Sequence, residues 1–183
     1  QFAIDHVKKG IDFTNKLPIG RRKILTFHLN DFVTQEEFES KDKKEWEEEW
    51  SRIIRPALSE ISEYAKVNNV EVKIETVPMP QFGDVSQGDI REYRGSRLYD
   101  LRGPFYLTGL WGFKQIRECG LGICLDLCHN RTIYIAAKTG DKDKALYKED
   151  LNELSKRSIL DDVKALTEGD IVHLNDGKGI YSK

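Results

Sequence analysis

One short segment constrains the fold of this chain more than any other. Residues 121–125 read Leu-Gly-Ile-Cys-Leu, a continuous run without a polar or charged side chain other than the cysteine thiol. A strand with one face in water alternates polar and apolar residues, whereas a continuous apolar run is typical of a strand covered on both faces. Such strands occur mainly in parallel sheets flanked by helices. The run therefore predicts an α/β fold with a parallel sheet.

Helical and strand patterns alternate along the chain. Strand patterns lie at 23–27, 70–74, 121–125 and 170–172. Each of them is followed by an ionisable residue at or near its end. Apolar residues at helical spacing predict helices before and between them, at 2–17, 46–65 with a kink or restart at Pro56, 106–118, 141–156 and 159–166. Parallel strands joined by right-handed crossovers satisfy this order.

This order predicts a TIM (β/α) barrel, with residues 1–183 as a single domain. A complete barrel typically takes about 250 residues. The chain has 183 residues with four strand patterns, so we expect an incomplete or truncated barrel. Completion of the barrel by another subunit, in a homo-oligomer, is the alternative.

Charge and hydropathy limit the partners. The 29 Lys and Arg residues nearly balance 31 Asp and Glu residues, for a net charge of −2, so any binding of nucleic acid requires a local basic patch. No run approaches the roughly 20 apolar residues that span a bilayer, and the first ten residues lack the apolar core of a signal peptide. We expect a cytoplasmic protein without a membrane partner. Reduced, buried thiols are predicted for Cys119, Cys124 and Cys128.

Each strand pattern delivers a metal-competent side chain at or just past its carboxyl end. In a parallel barrel these ends share one rim, where active sites lie. Imidazole and carboxylate together suit zinc, manganese, iron or cobalt, whereas oxygen ligands alone indicate magnesium or calcium. The pattern predicts a divalent cation, zinc or manganese, held by His28, Glu75, Asp126, His129 and His173.

Structural alternatives stay open for some of these residues. His28 is equally well explained as a strand-end histidine bonded to backbone, and Glu75 as a solvated loop carboxylate. Asp126 and His129 are harder to explain in this way, because both emerge from the most apolar strand pattern, where an unpaired charge is costly.

Two short motifs carry a resemblance to a known family. Gly122-Ile-Cys-Leu-Asp-Leu-Cys-His129, followed by Val172-His-Leu-Asn-Asp-Gly-Lys178, resembles the xylose-isomerase-like barrel superfamily, which contains endonuclease IV and the sugar-phosphate isomerases and epimerases. Ile74-Glu75 and Thr26-Phe-His28 resemble strand-end residues of the same family. The chain departs from the family in showing no final strand with a closing glutamate.

The isomerase branch of this family implies a metal-dependent sugar or sugar-phosphate isomerase or epimerase. One metal would be held by Glu75, Asp126 and His173, which requires these side chains to reach a common cation. Glu75 and His129 would be the catalytic residues, with His129 touching the substrate. The near-neutral charge favours this branch, because a small sugar substrate needs no extended basic surface.

Residues around the metal ligands have supporting roles in this interpretation. Arg94, Arg97 and Arg102, in a long loop after the second strand pattern, are predicted to hold a substrate phosphate; a solvated basic loop is the alternative. Asn175 and Asp176 match the family motif and are expected to orient the metal ligands.

The endonuclease branch is the first alternative, and it implies cleavage of DNA at apurinic or apyrimidinic sites. Glu75 would bridge two metals, with His28 on the first, Asp126 and His173 on the second, and His129 on a third. DNA is a partner only under this alternative. A non-catalytic barrel remnant that serves as a binding module is the second alternative.

Overall fold

The computed structural model describes residues 1–18, 20–29, 33–78, 92–93, 96–97, 101–102, 104–105, 108–109, 111–139 and 147–174. Helices and strands follow one another in this order: α1 (Phe2–Lys16), β1 (Ile24–His28), β2 (Val33–Thr34), α2 (Gln35–Glu39), α3 (Lys43–Glu49), a π-helical segment (Trp50–Ile54), α4 (Arg55–Val67), β3 (Glu71–Glu75), β4 (Glu92–Tyr93), β5 (Ser96–Arg97), β6 (Leu101–Arg102), α5 (Gly112–Glu118), β7 (Gly122–Asp126), α6 (Leu127–Thr139), α7 (Lys148–Leu154), α8 (Ile159–Lys164) and β8 (Ile171–His173).

The main sheet has four strands in the order β1-β3-β7-β8, and all neighbouring pairs are parallel. The expected α/β fold with a parallel sheet is therefore confirmed. Two further pairs, β2 with β6 and β4 with β5, are short and antiparallel. Among the strands that the structure describes, β1 and β8 are the outer strands of the main sheet.

The two faces of this sheet differ in polarity, because side chains alternate along each strand. One face is apolar and packs on α1, α4 and α5 in the main core cluster, with Val72, Ile74, Ile123 and Leu125 at its centre. Ile123, Cys124 and Leu125 are fully buried, as the continuous apolar run predicts. The opposite face carries the ionisable residues of the strand ends.

The helix predicted from 46 to 65 lies within a continuous helical run, whose hydrogen-bonding pattern changes to π over Trp50–Ile54, just before Pro56. The π-helical segment ends at Ile54 and Pro56 lies in the first turn of α4, so the change of pattern occurs beside the residue that lacks a backbone N–H. Trp50, at the start of the π-helical segment, is fully buried against Phe105 and Trp111, with ring centroids 4.9 and 5.1 Å away. No described helix combines the length and the apolar character that crossing a membrane requires.

Helix α6 was not predicted from the sequence. The sequence patterns predicted no helix between the third strand and residue 141 and one helix over 141–156, but α6 begins directly after β7, and α7 covers only Lys148–Leu154. Residues 140–146 lie outside the described residues. The start of α6 is stabilised by Asp126, whose Oδ1 accepts a hydrogen bond from the backbone N–H of His129 at 2.9 Å, in the manner of an N-cap.

Candidate metal centre

Three of the predicted ligands come together at the carboxyl ends of the parallel strands. His28, Glu75 and His129 each place one ligand atom so that all three atoms lie within 4.8 Å of one another. His28 Nε2 is 3.4 Å from Glu75 Oε2, and the rings of His28 and His129 have centroids 5.6 Å apart. The register between β1 and β3 sets His28 opposite Glu75, while His129 reaches the same place from the first turn of α6.

This first group, His28–Glu75–His129, is partly open to solvent. The side chains of Glu75 and His129 are 14% and 15% exposed, whereas that of His28 is 39% exposed. The group is therefore accessible from the side of His28 and shielded on the side of the sheet. Two imidazoles and one carboxylate form a donor set that suits zinc or manganese, and three protein ligands leave positions for substrate or water.

The ring of His129 is oriented by the backbone of Thr76. His129 Nδ1 lies 2.8 Å from the carbonyl oxygen of Thr76. A carbonyl only accepts hydrogen bonds, so Nδ1 carries the proton and Nε2 keeps the lone pair that a metal ligand needs. Sequence reasoning missed Thr76; its only signal is its place directly after Glu75 at the end of β3.

Asp126 lies beside the first group but does not belong to it. Among the residues that the structure describes, Asp126 appears in neither group of three potential ligands. Its side chain is fully buried, and its Oδ2 is 3.8 Å from Nδ1 of His129. Its backbone N–H donates to Thr76 Oγ1 at 3.0 Å. Asp126 thus connects the ends of β3 and β7 to the start of α6.

A second group contains Glu75, Cys124 and His173, whose ligand atoms also lie within 4.8 Å of one another. His173 Nδ1 is 3.0 Å from Glu75 Oε1, on the other carboxylate oxygen from the one that faces His28. The expected set of Glu75, Asp126 and His173 is therefore not brought together as predicted, since Cys124 takes the place foreseen for Asp126. Burial, with the nearby carboxylates of Glu75 and Asp126, raises the pKa of the Cys124 thiol to about 12.

The remaining predicted site residues cannot be placed against these groups. Arg94, Asn175 and Asp176 lie outside the described residues. Arg97 and Arg102 belong to β5 and β6, but their side chains lie outside the description as well. The predicted roles of these five residues stay predictions.

A separate cleft of 520 Å³ lies between α3, α5 and α7, with Trp46, Phe105 and Trp111 among its lining residues. None of the residues of the two groups lines it. Its walls carry charges of both signs, and Lys43 is already paired with Asp150 at 2.5 Å. We therefore take the strand ends, where the possible metal ligands converge, as the candidate functional site.

Known proteins supply no independent assignment for this site. Comparisons of the chain with protein-family models, curated proteins and solved structures find no match. Support for a function therefore comes from the geometry of the two groups, together with the short motifs at residues 122–129 and 172–178.

Proposed function

We propose that this protein binds a divalent cation, zinc or manganese, through His28, Glu75 and His129 and acts as a sugar or sugar-phosphate isomerase or epimerase. The observation that carries the proposal is the convergence of these three ligand atoms within 4.8 Å. They belong to segments that are distant in sequence, so only the fold brings them together.

We also propose that the four parallel strands are part of a TIM barrel. The four strands lie in the sheet in the same order as along the chain, and all neighbouring pairs are parallel. The candidate ligands lie at their carboxyl ends, which is the face where barrel enzymes carry their active sites. The polar face of the sheet would line the interior of the barrel.

The side chains of the site have distinct tasks in this proposal. When bound, the cation would polarise a carbonyl or hydroxyl oxygen of the substrate. Glu75 presents Oε2 to the first group, while its Oε1 lies 3.0 Å from His173 Nδ1. A carboxylate oxygen held in this way can take a proton from the carbon next to a carbonyl and return it. His129 is kept in the Nδ1–H tautomer by Thr76, which leaves Nε2 directed away from the backbone.

Proton transfer beside a carbonyl can be measured without knowing the natural substrate. The metal content of the purified protein is determined first, and the protein is then incubated with a panel of aldose and ketose phosphates in D₂O with Mn²⁺ or Zn²⁺. We expect bound metal, and NMR should show deuterium at the carbon next to the carbonyl of at least one sugar. Glu75→Gln should slow this exchange by about 100-fold or more, as loss of a general base does.

The matched control is Glu48→Gln, which removes a carboxylate that is 69% exposed on α3. This variant should exchange at the wild-type rate. The proposal is wrong if the wild-type protein binds no divalent cation, or if Glu75→Gln exchanges as fast as Glu48→Gln.

A second candidate function is cleavage of a phosphodiester at an abasic site in DNA. It is favoured by one observation: the two oxygens of Glu75 face different histidines, His28 and His173. A carboxylate that faces two ligand groups is typical of a bridging ligand in two-metal hydrolases. An oligonucleotide with a single abasic site tests this candidate. Cleavage by the wild type that is lost in Glu75→Gln supports it, and an intact oligonucleotide with metal-loaded protein excludes it.

A further inference from the structure

The second group brings a thiol into the site, which the sequence motifs did not indicate. We infer that Glu75, Cys124 and His173 form a second cation site, selective for thiophilic ions such as Zn²⁺ over hard ions such as Mn²⁺. The inference rests on the proposed function only in sharing Glu75 with the first group. It requires neither sugar nor DNA as the substrate.

The register of the sheet explains why these three side chains meet. Pairing of β3 with β7 sets Glu75 opposite Cys124, and pairing of β7 with β8 sets His173 opposite Asp126. Cys124 and Asp126 are two residues apart on one strand and therefore share a face of the sheet. All three ligands consequently project from the same face of three adjacent strands, in positions fixed by backbone hydrogen bonds.

The chemistry of the donors sets the preference for the ion. Sulfur, imidazole nitrogen and carboxylate oxygen together suit Zn²⁺, which accepts all three and leaves one position open when bound by three protein ligands. Manganese and magnesium favour oxygen donors over a thiolate. The first group contains no sulfur. Although the two groups share Glu75, the second should therefore prefer soft cations such as Zn²⁺ more strongly than the first does.

Binding at the second group must displace the thiol proton. Cys124 is fully buried, and a cysteine side chain is mostly in the thiol form at neutral pH when no cation is bound. Formation of the metal–sulfur bond breaks the S–H bond, and the proton leaves to solvent. One proton is therefore released for each ion bound there, and no electron transfer is involved.

Cobalt titration tests this inference, because Co²⁺ bound by a thiolate shows a charge-transfer band in the near ultraviolet that oxygen and nitrogen ligands do not give. The wild-type protein should bind two equivalents of Co²⁺ and develop this band. Cys124→Ser should lose the band and one equivalent of Co²⁺. The chain provides two matched controls, Cys119→Ser and Cys128→Ser; Cys119 is also buried, but it donates to Gln115 O at 3.3 Å, away from the site.

Several results would overturn the inference. One is cobalt binding to the wild type without a thiolate band, and another is a band that survives in Cys124→Ser or disappears in Cys128→Ser. X-ray absorption of the zinc-loaded wild type gives an answer that does not depend on the folding of any variant. It should show a sulfur neighbour at about 2.3 Å, and a first shell of nitrogen and oxygen alone would exclude Cys124 as a ligand.

The two proposals fail in different ways. If His28→Ala still binds two equivalents of Co²⁺ and keeps the thiolate band, the first group is wrong while the second stands. If Cys124→Ser leaves the wild-type stoichiometry unchanged while His28→Ala lowers it, the first group stands and the second is wrong.

Discussion

Asp126 is the residue for which the motif and the structure give different roles, and its substitution separates them. The motif predicts a metal ligand. In the structure, Oδ1 of Asp126 accepts from His129 N at 2.9 Å at the start of α6, and Asp126 belongs to neither group of ligands. We expect Asp126→Asn to preserve this role, because asparagine is as good an N-cap as aspartate.

The size of the effect follows from these contacts. Replacing an N-cap aspartate with alanine costs about 0.5–2 kcal/mol, and we expect the upper end because the Asp126 side chain is fully buried. For a protein of this size, 1 kcal/mol shifts the melting temperature by about 2–4 °C. Asp126→Ala should therefore lower it by about 4–8 °C, and Asp126→Asn by about 2 °C or less.

The effect on cation binding distinguishes the two roles further. Asp126→Asn should change the affinity for Mn²⁺ by less than about threefold, equivalent to about 0.6 kcal/mol, because the cap that positions His129 persists. Asp126→Ala loosens His129 and should weaken binding by about 10–100-fold, as loss of a group that orients a ligand does. Glu75→Gln, which removes the carboxylate proposed as a ligand, serves as the reference for full loss.

Differential scanning calorimetry of the metal-free proteins and isothermal titration with Mn²⁺ supply these quantities. The reasoning is refuted if Asp126→Asn loses the cation as completely as Glu75→Gln while its melting temperature equals that of the wild type. In that case Asp126 is a direct ligand, as the motif predicts.

Three further predictions concern the scaffold around the site. Asp170→Asn should lower the free energy of unfolding, measured in urea, by about 3 kcal/mol. The buried carboxylate of Asp170 accepts hydrogen bonds from Ile123 N at 2.8 Å and from Arg117 Nη2 at 2.6 Å. A loss of stability no larger than that of an Asp→Asn substitution at an exposed position would contradict this prediction. Burial alone would raise the pKa of Asp170, but these hydrogen bonds outweigh burial and lower it below 3.8. As the pH falls, the unfolded state therefore binds this proton before the folded state does. The wild type should lose the stability that Asp170 provides as the pH falls below 3.8. Asp170→Asn should show no such loss. Gly120→Ala should lower the free energy of unfolding by about 2 kcal/mol, because φ is +76° and the added Cβ would lie 2.8 Å from Ser62 Oγ. Gly169→Ala should lower it less, because φ is +89° but the nearest atom to the added Cβ is 3.6 Å away. Equal losses in the two variants would refute a contribution from the close contact with Ser62. Thr76→Val leaves the buried N–H of Asp126 without the Thr76 hydroxyl and should cost about 1–3 kcal/mol, whereas Thr76→Ser should unfold at nearly the wild-type denaturant concentration.

The strands of the main sheet could be predicted from the sequence, because burial of one or both faces leaves a pattern in the residues themselves. The predicted strand at 70–74 and the observed β3, Glu71–Glu75, differ by one residue at each end. The start of α6 could not be predicted in this way. Its cap is the same Asp126 that the motif assigns to a metal, and a residue type alone does not reveal which hydrogen bond it makes.

The neighbours of Cys124 in the candidate site could not be predicted from the sequence. The thiol was correctly expected to be buried, but its neighbours depend on the register between β3 and β7, which sets Cys124 opposite Glu75. A shift of one residue would turn Cys124 toward the helices and Leu125 toward the site. Neither strand taken alone fixes this register, because the register describes how the residues of two strands pair.

Substitution of Glu75 does not separate the two proposed cation sites. Oε2 of Glu75 serves the first group and its Oε1 the second, so any substitution at Glu75 affects both groups and any loss of activity can be assigned to either. His28 and Cys124 each belong to one group alone among the described residues. If the two groups act as one bridged centre, His28→Ala and Cys124→Ser should abolish the same reaction; if they act separately, only one of the two should.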